Sequence, residues 1–261
     1  MAALGTPAVI VFTEGAYETA KAICTALTDA EIYSRAGRVE GGTHFEEAAD
    51  LLPKLFFAKR PIIGVCAAGI LIRLLSPHLH GKQNEPPVLA VSEDGRFCIP
   101  LLGGHNSGNQ LATEVATVLQ GEAAITTVTD TRYRVSLDDP PPGWVLANPQ
   151  DAKPFLADLL SGESIRLIGD ADWLSESDLP ILLDGDLKIE ISDRKINGST
   201  RHLVYHRSSL TLGIGCERGT AYEELMELID ATLAINELPK SAIAGIWSID
   251  LKMDEPAIGE V

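Results

Sequence analysis

The chain is short of positive charge, carries few cysteines and has no long apolar run. Among its 261 residues Lys and Arg number 21 against 37 Asp and Glu, a formal charge of −16. That balance opposes nonspecific attraction to nucleic acid or to an anionic membrane, so neither is an expected partner, and an anionic ligand would need a local positive site. No N-terminal run joins basic residues to a long apolar core, and nothing approaches the roughly 18–20 apolar residues that cross a bilayer. The expected location is the cytoplasm. The four cysteines, Cys24, Cys66, Cys98 and Cys216, lie far apart and form no C-x-x-C pair. Neither a zinc knuckle nor a disulfide scaffold is indicated, and buried thiols are the default.

What is present is an apolar share of 45%, that of a globular chain with a buried core, on a length that allows two compact units. Short apolar runs at 8–13, 31–34, 62–66 and 88–92 alternate with helical periodicity at 16–27, 45–58 and 68–79, the last ended near Pro77. This is the rhythm of an α/β sheet covered on both faces. Glu93-Asp94-Gly95-Arg96 between the runs 88–92 and 97–102 is a hairpin signal, so the sheet is expected to be mixed. A further helix places Leu111, Val115, Val118 and Leu119 on one face, and a strand at 123–128 follows. Asp138-Asp139-Pro140-Pro141-Pro142-Gly143 then breaks the pattern.

The expected fold class is therefore α/β, with a three-layer N-terminal domain at 1–135 built on a mixed sheet. A smaller α/β middle domain at 136–208 links it to an incomplete C-terminal βαβ segment at 209–261. The middle domain has a helix at 152–160 and strands at 165–168, 187–192 and 202–205. A βαβ with so little chain cannot complete a covered sheet. It either adds strands to an earlier sheet or belongs to something longer.

The most informative segment is Pro100-Leu-Leu-Gly-Gly-His105-Asn-Ser-Gly-Asn109-Gln-Leu-Ala112. Gly103 and Gly104 let the backbone approach a bound group, while Asn106 or Ser107 can cap the next helix and leave its first N–H groups facing an anion. An ordinary capped helix start fits the same residues. The amides of Asn106 and Asn109 can donate and accept hydrogen bonds. His105 is a candidate general acid or base, although a lone histidine without an acidic partner is more often a structural residue.

Other residues add weaker signals. Cys66-Ala67-Ala68-Gly69 closes an apolar run where α/β sheets build sites, yet nothing adjacent would stabilise a thiolate. Arg73, one helical turn beyond Gly69, carries a planar fork suited to a carboxylate. Thr127, Thr129 and Asp130 at an expected strand end either hydrogen-bond a ligand or cap the next segment. His78 and His80 lack a carboxylate or cysteine at ligand spacing and read as a solvated loop, so no metal site is expected. Gly213-Ile-Gly-Cys-Glu-Arg-Gly219 matches only the first glycines of a dinucleotide-binding turn, and Glu217 would oppose phosphates; a structural strand-to-helix turn fits better.

Gly64-Val-Cys-Ala-Ala-Gly69, Arg73, Asp94-Gly95, Pro100-Leu-Leu-Gly-Gly-His105, Asn109-Gln-Leu-Ala112, Ile125-Thr-Thr-Val-Thr-Asp130 and Gly213-Ile-Gly-Cys-Glu-Arg-Gly-Thr220, taken together, resemble the cobalt-precorrin-5A hydrolase family of cobalamin biosynthesis. The resemblance implies hydrolytic opening of a δ-lactone on a cobalt corrinoid, with loss of acetaldehyde. It implies a corrinoid substrate and allows other enzymes of the pathway as partners. No resident cofactor is implied, and cobalt enters only within the substrate. The substrate's acetate and propionate side chains would meet helix N-termini and Arg73 in an otherwise acidic protein.

The resemblance assigns no catalytic residue. His105 stays the candidate for proton transfer, and Gly69, Arg73, Gly103, Gly104, Asn106, Ser107, Asn109, Thr127 and Asp130 are the candidates for substrate contact. Asn106-Ser107 stands where family members commonly carry more glycine, a departure that resembles versions fused to precorrin-3B C17-methyltransferase. Ile249-Asp-Leu-Lys-Met-Asp-Glu-Pro256 resembles the middle of the family's C-terminal domain. The chain is then expected to be the N-terminal part of a bifunctional protein, with S-adenosylmethionine bound only by the methyltransferase part. A different reading keeps binding without catalysis, as a module that holds or hands over a corrinoid intermediate.

Overall fold

Four consecutive apolar residues form the first strand, β1 (Ala8–Val11), and all four are buried. A strand presents alternate residues to opposite faces, so burial of every residue means that both faces of its sheet are covered. The computed structural model describes residues 5–81, 85–104, 107–252 and 254–260. They fall into two units, Met1–Thr127 and Val128–Val261.

In the first unit β1 is followed by α1 (Glu14–Ala26), β2 (Glu31–Arg35), β3 (Thr43–Phe45), α2 (Ala48–Phe57), β4 (Ile62–Val65) and α3 (Ala68–Leu75). Then come β5 (Val88–Val91), β6 (Phe97–Leu102), α4 (Gly108–Leu119) and the two-residue β7 (Glu122–Ala123). The strands lie in the order β3-β2-β1-β4-β5-β6-β7. β1 to β5 are parallel, β6 is antiparallel to β5, and β7 is parallel to β6. The sheet is thus mixed. Val9, Val11, Ile63, Val65, Leu89 and Val91 face α1 and α4, whereas Ala8, Ile10, Ile62, Val88 and Ala90 face α2 and α3. This is a three-layer α/β arrangement. Each of these fully buried Leu, Ile or Val side chains is worth about 1.5–3 kcal/mol relative to exposure.

Two elements differ from the sequence reading. Phe45, expected to open a helix, ends the edge strand β3 instead, because its buried ring packs edge-on against Phe12 with centroids 5.6 Å apart; the helix starts at Ala48. The strand expected at 123–128 stops after Ala123. Ala124 N still donates to Cys98 O, but Ile125 N turns back to Ala123 O, which ends the ladder. Val128 already opens a helix of the second unit.

The second unit begins with α5 (Val128–Tyr133), β8 (Trp144–Leu146), α6 (Ala152–Leu160), β9 (Ile165–Ile168), α7 (Asp172–Ser175), β10 (Leu187–Ile191) and β11 (His202–Arg207). Its sheet order is β8-β11-β10-β9, parallel except for β8. Phe155 and Leu159 of α6 pack on Ile165, Leu187, Ile189, Leu203 and Tyr205. Tyr205 is completely buried, and its hydroxyl donates to Leu137 O, so no polar group is stranded there. The chain continues through β12 (Leu210–Gly213), α8 (Tyr222–Ile235), β13 (Ile243–Trp247) and α9 (Pro256–Glu260). β12 and β13 pair with each other in a separate parallel sheet rather than extending the earlier one. Among the described residues no helix is long and apolar enough to cross a membrane.

Two tests follow from this packing. Gly103 has a φ of 74°, and a Cβ on it would lie 2.7 Å from Pro87 N and 2.8 Å from Pro86 O. Gly103→Ala is expected to cost the first unit about 1–3 kcal/mol, read as faster hydrogen exchange at the β5 and β6 amides and a lower urea midpoint. In the second unit the Glu190 carboxylate takes Lys188 Nζ at 2.6 Å and His202 Nε2 at 3.0 Å. The Lys188 bond holds the Glu190 pKa below its usual value, while burial and then Lys188 push His202 below 6.5.

Both shifts act with the same sign. The unfolded chain takes up protons first as pH falls, so stability present above the ordinary histidine and carboxylate ranges is lost on acidification through them. Trp144, Trp173 and Trp247, the chain's three tryptophans, all lie in this unit. The urea midpoint followed by tryptophan fluorescence should therefore fall from pH 7 to pH 4, and Glu190→Gln should remove the part of that fall that lies in the carboxylate range.

Candidate functional site

The glycine turn lies at the end of β6. Because β6 runs against β5, Leu102 pairs with Val88, and the turn sits at the amino-terminal end of the parallel strands. Gly108 N donates to Gly103 O at 2.9 Å, and a Cβ on Gly108 would stand 2.7 Å from that same oxygen. Gly103 and Gly108 are thus required by the chain's own packing. Gly104 faces open space.

The expected serine cap is not formed. Ser107 precedes α4 with a left-handed φ of 63°, and its side chain makes no capping bond. A capping hydroxyl reaches the second or third helical amide from an extended backbone, which Ser107 does not have. Asn109 is buried and its Nδ2 donates to Thr127 Oγ1 at 2.9 Å, so Gly103, Ser107, Asn109 and Thr127 are gathered at one edge of the sheet. His105 and Asn106 lie outside the described residues.

Asp130 does not lie at a strand end. It is in α5, in the second unit, with buried Thr129 beside it. Gly69 and Arg73 share one face of α3, where Arg73 Nη1 donates to Gly69 O at 3.2 Å. A Cβ on Gly69 would come within 3.0 Å of that nitrogen, so the glycine lets the guanidinium fold back. Arg73 is otherwise exposed, with the rest of its fork in solvent.

A cavity of about 420 Å³ opens at the opposite, carboxyl-terminal end of β1, β4 and β5. Between β1 and β4 the strand order reverses, since β2 and β3 go to one side and β5 to the other. Such switch points leave a crevice that open α/β sheets use for ligands. Phe12, Val65, Ala67, Ala68, Ile70 and Ile99 give it an apolar wall, and Thr13, Cys66, Ser92 and Glu93 supply its polar groups. Burial pushes the Cys66 thiol up to about 11, so it remains protonated and inert near neutral pH.

Glu93 and Thr13 escaped the sequence reading. Thr13 is the N-cap of α1, its Oγ1 accepting from Ala16 N at 3.3 Å and donating to Glu93 Oε2 at 2.8 Å. Thr19 Oγ1 donates to Glu93 O at 2.6 Å, which fixes the hairpin against the same helix. The carboxylate lies directly on Gly15, leaving no room for a Cβ. The one available signal was a threonine preceding Glu14 in the first turn of an amphipathic helix, a capping pattern.

The second unit's glycine turn is filled from within. Gly219 N donates to the buried Glu255 carboxylate at 2.9 Å, and Arg218 pairs with Asp254 at 2.9 Å. The place a phosphate would take before α8 thus holds a side chain of the protein. His78 packs its ring edge-on against Phe57, centroids 5.5 Å apart. Among the described residues no group of three or more His, Cys, Asp or Glu is placed to hold a metal ion.

Residues 50–130 match the family model described as cobalamin synthesis G N-terminal, and residues 210–261 match cobalamin synthesis G C-terminus. A cobalt-precorrin-5A hydrolase of Priestia megaterium is 26% identical over 293 aligned positions, covering 98% of this chain and 77% of the relative. One from Salmonella typhimurium is 28% identical over 280 positions, covering 96% and 77%. A solved cobalamin biosynthesis protein G homolog from Sulfolobus solfataricus gives a TM-score of 0.47 at 19% identity, covering 97% of this chain and 76% of that one. The two family models match separate stretches, one from α2 of the seven-stranded mixed-sheet unit into α5 and one over the terminal βαβ, and the chain belongs to the cobalamin synthesis G family.

Proposed function

We propose that this chain is a cobalt-precorrin-5A hydrolase that opens the δ-lactone of a cobalt corrinoid and releases acetaldehyde. The reading rests on one observation above others: two relatives bearing that name align with 98% and 96% of its length, through both units. Water adds across the lactone ester, giving a carboxylic acid, which ionises by releasing its proton to solvent, and a secondary alcohol. The alcohol oxygen then loses its proton as the bond from its carbon to the macrocycle breaks. That carbon leaves as acetaldehyde, and the bond's electron pair stays with the macrocycle, which takes up the proton. One water enters and one acetaldehyde leaves, so no redox cofactor is called for, and cobalt is part of the substrate.

The acidic chain needs local cations for a polycarboxylate substrate, and the exposed fork of Arg73 supplies one. Gly104, where a Cβ would meet nothing within 4 Å, lets backbone amides approach a side-chain carboxylate, in the same turn region as the Asn109–Thr127 bond. The four free cysteines suit the reducing cytoplasm.

Incubation with cobalt-precorrin-5A should yield one acetaldehyde per corrinoid, measured with an alcohol dehydrogenase couple. Corrinoid binding without acetaldehyde would instead identify a noncatalytic handover module. Arg73→Ala should weaken corrinoid affinity about two- to fivefold, the range of an exposed ion pair, in an absorbance titration. Unchanged affinity would remove Arg73 from the binding surface.

A further inference from the structure

We propose that the lactone is opened in the switch-point cavity of the first unit, with Glu93 as the general base that activates the attacking water. The inference rests on the hydrolase reading above and assigns its chemistry to the end of the sheet opposite the glycine turn. Three observations carry it.

The first is the cavity itself, about 420 Å³, within the roughly 300–1,000 Å³ of small-molecule sites. It could not enclose a whole corrinoid macrocycle, but it can take one peripheral ring of it. The second is its charge. Among the described lining residues there is a carboxylate and no Lys, Arg or His, while most of the wall is aliphatic or aromatic. A carboxylate side chain would be repelled there, and a neutral, largely apolar group would be drawn in. On a macrocycle bearing many acetates and propionates, the lactone is a group that is both neutral and reactive.

The third is how Glu93 is held. Its Oε2 receives the Thr13 hydroxyl at 2.8 Å, its backbone carbonyl receives Thr19 Oγ1 at 2.6 Å, and its carboxylate rests on the bare Cα of Gly15. The hydroxyl hydrogen of Thr13 is spent on Glu93 while its oxygen accepts from Ala16 N, so the group that orients the carboxylate is itself held by the helix it caps. Glu93 is nevertheless exposed and is one of the residues that line the cavity, so water can reach it. A fixed base beside an apolar pocket with water at hand is what ester hydrolysis requires. Glu93 takes a proton from water, the resulting hydroxide bonds to the lactone carbonyl carbon, and the ring C–O bond breaks. The proton then passes to the departing alkoxide, so the base is restored and the net input is one water.

Glu93→Gln keeps the shape and the acceptor that Thr13 needs while removing the base, so the fold should survive. With the full chain and cobalt-precorrin-5A, acetaldehyde release should fall about 10²- to 10⁴-fold. Corrinoid affinity should stay within threefold. An active parent whose Glu93→Gln variant turns over within threefold would overturn the proposal, as would loss confined to His105→Ala.

A second measurement does not depend on activity. Millimolar δ-valerolactone should shift the amide resonances of Thr13, Cys66 to Ala68, Ser92 and Glu93, acetate should not, and Ala67→Trp should abolish the shifts. Absence of lactone shifts at these amides would overturn the cavity assignment. An inactive parent that still shows them would defeat the hydrolase reading alone.

Discussion

The first unit is organised by one tight turn, Ser92 to Arg96, which sends β6 back against β5. Gly95 takes a φ of 71° there, and the Asp94 carboxylate receives both Ser92 Oγ and Arg96 N. If the chain crossed over to another parallel strand, β6 would end at the carboxyl edge, alongside the cavity. Reversal instead separates two regions: the hairpin holds Glu93 at the carboxyl edge, and β6 delivers Gly103 to the amino edge. Everything from the start of α4 to Thr127 inherits that placement, including the buried amide of Asn109.

Much of the fold was legible because its central strands are buried on both faces and so are apolar without interruption. β1, β4 and β5 could be read in this way; β6 was legible from the hairpin turn before it, and α6 from its helical spacing. β3 was not, since three residues show no period and Phe45 serves a strand edge as readily as a helix. The strand expected through Val128 failed for another reason. The β-branched run 125–129 satisfies strand propensity, yet Tyr133 of α5 packs into the second core, and tertiary burial outweighed local preference.

The candidate sites divide along similar lines. Gly103 was read as a candidate for substrate contact, and in the structure its neighbours are Pro86 and Pro87, while Gly108 sits on the turn's own carbonyls. A glycine required by the backbone and one required by a ligand look alike in sequence. Glu93 was illegible for the opposite reason: an acidic residue in a hairpin turn resembles any solvated one, and Thr13 lies 80 residues away. The same habit recurs at α8, where Glu255 meets Gly219 N from 36 residues away. An acidic chain can thus neutralise helix N-termini with its own carboxylates.

The Asp94-Gly95 step also bears on how the protein ages. Aspartate followed by glycine is prone to cyclise when the glycine amide nitrogen attacks the side-chain carbonyl, and reopening can leave isoaspartate with an extra methylene in the main chain. Here the Asp94 carboxylate is engaged by Ser92 and Arg96, and Gly95 N donates to Ser92 O at 2.9 Å. Attacker and target are both held by other partners, which slows the rearrangement in the folded state. Were it to occur, the lengthened turn would pull Glu93 off Thr13, so shelf life and the integrity of the cavity mouth are tied to the same few hydrogen bonds.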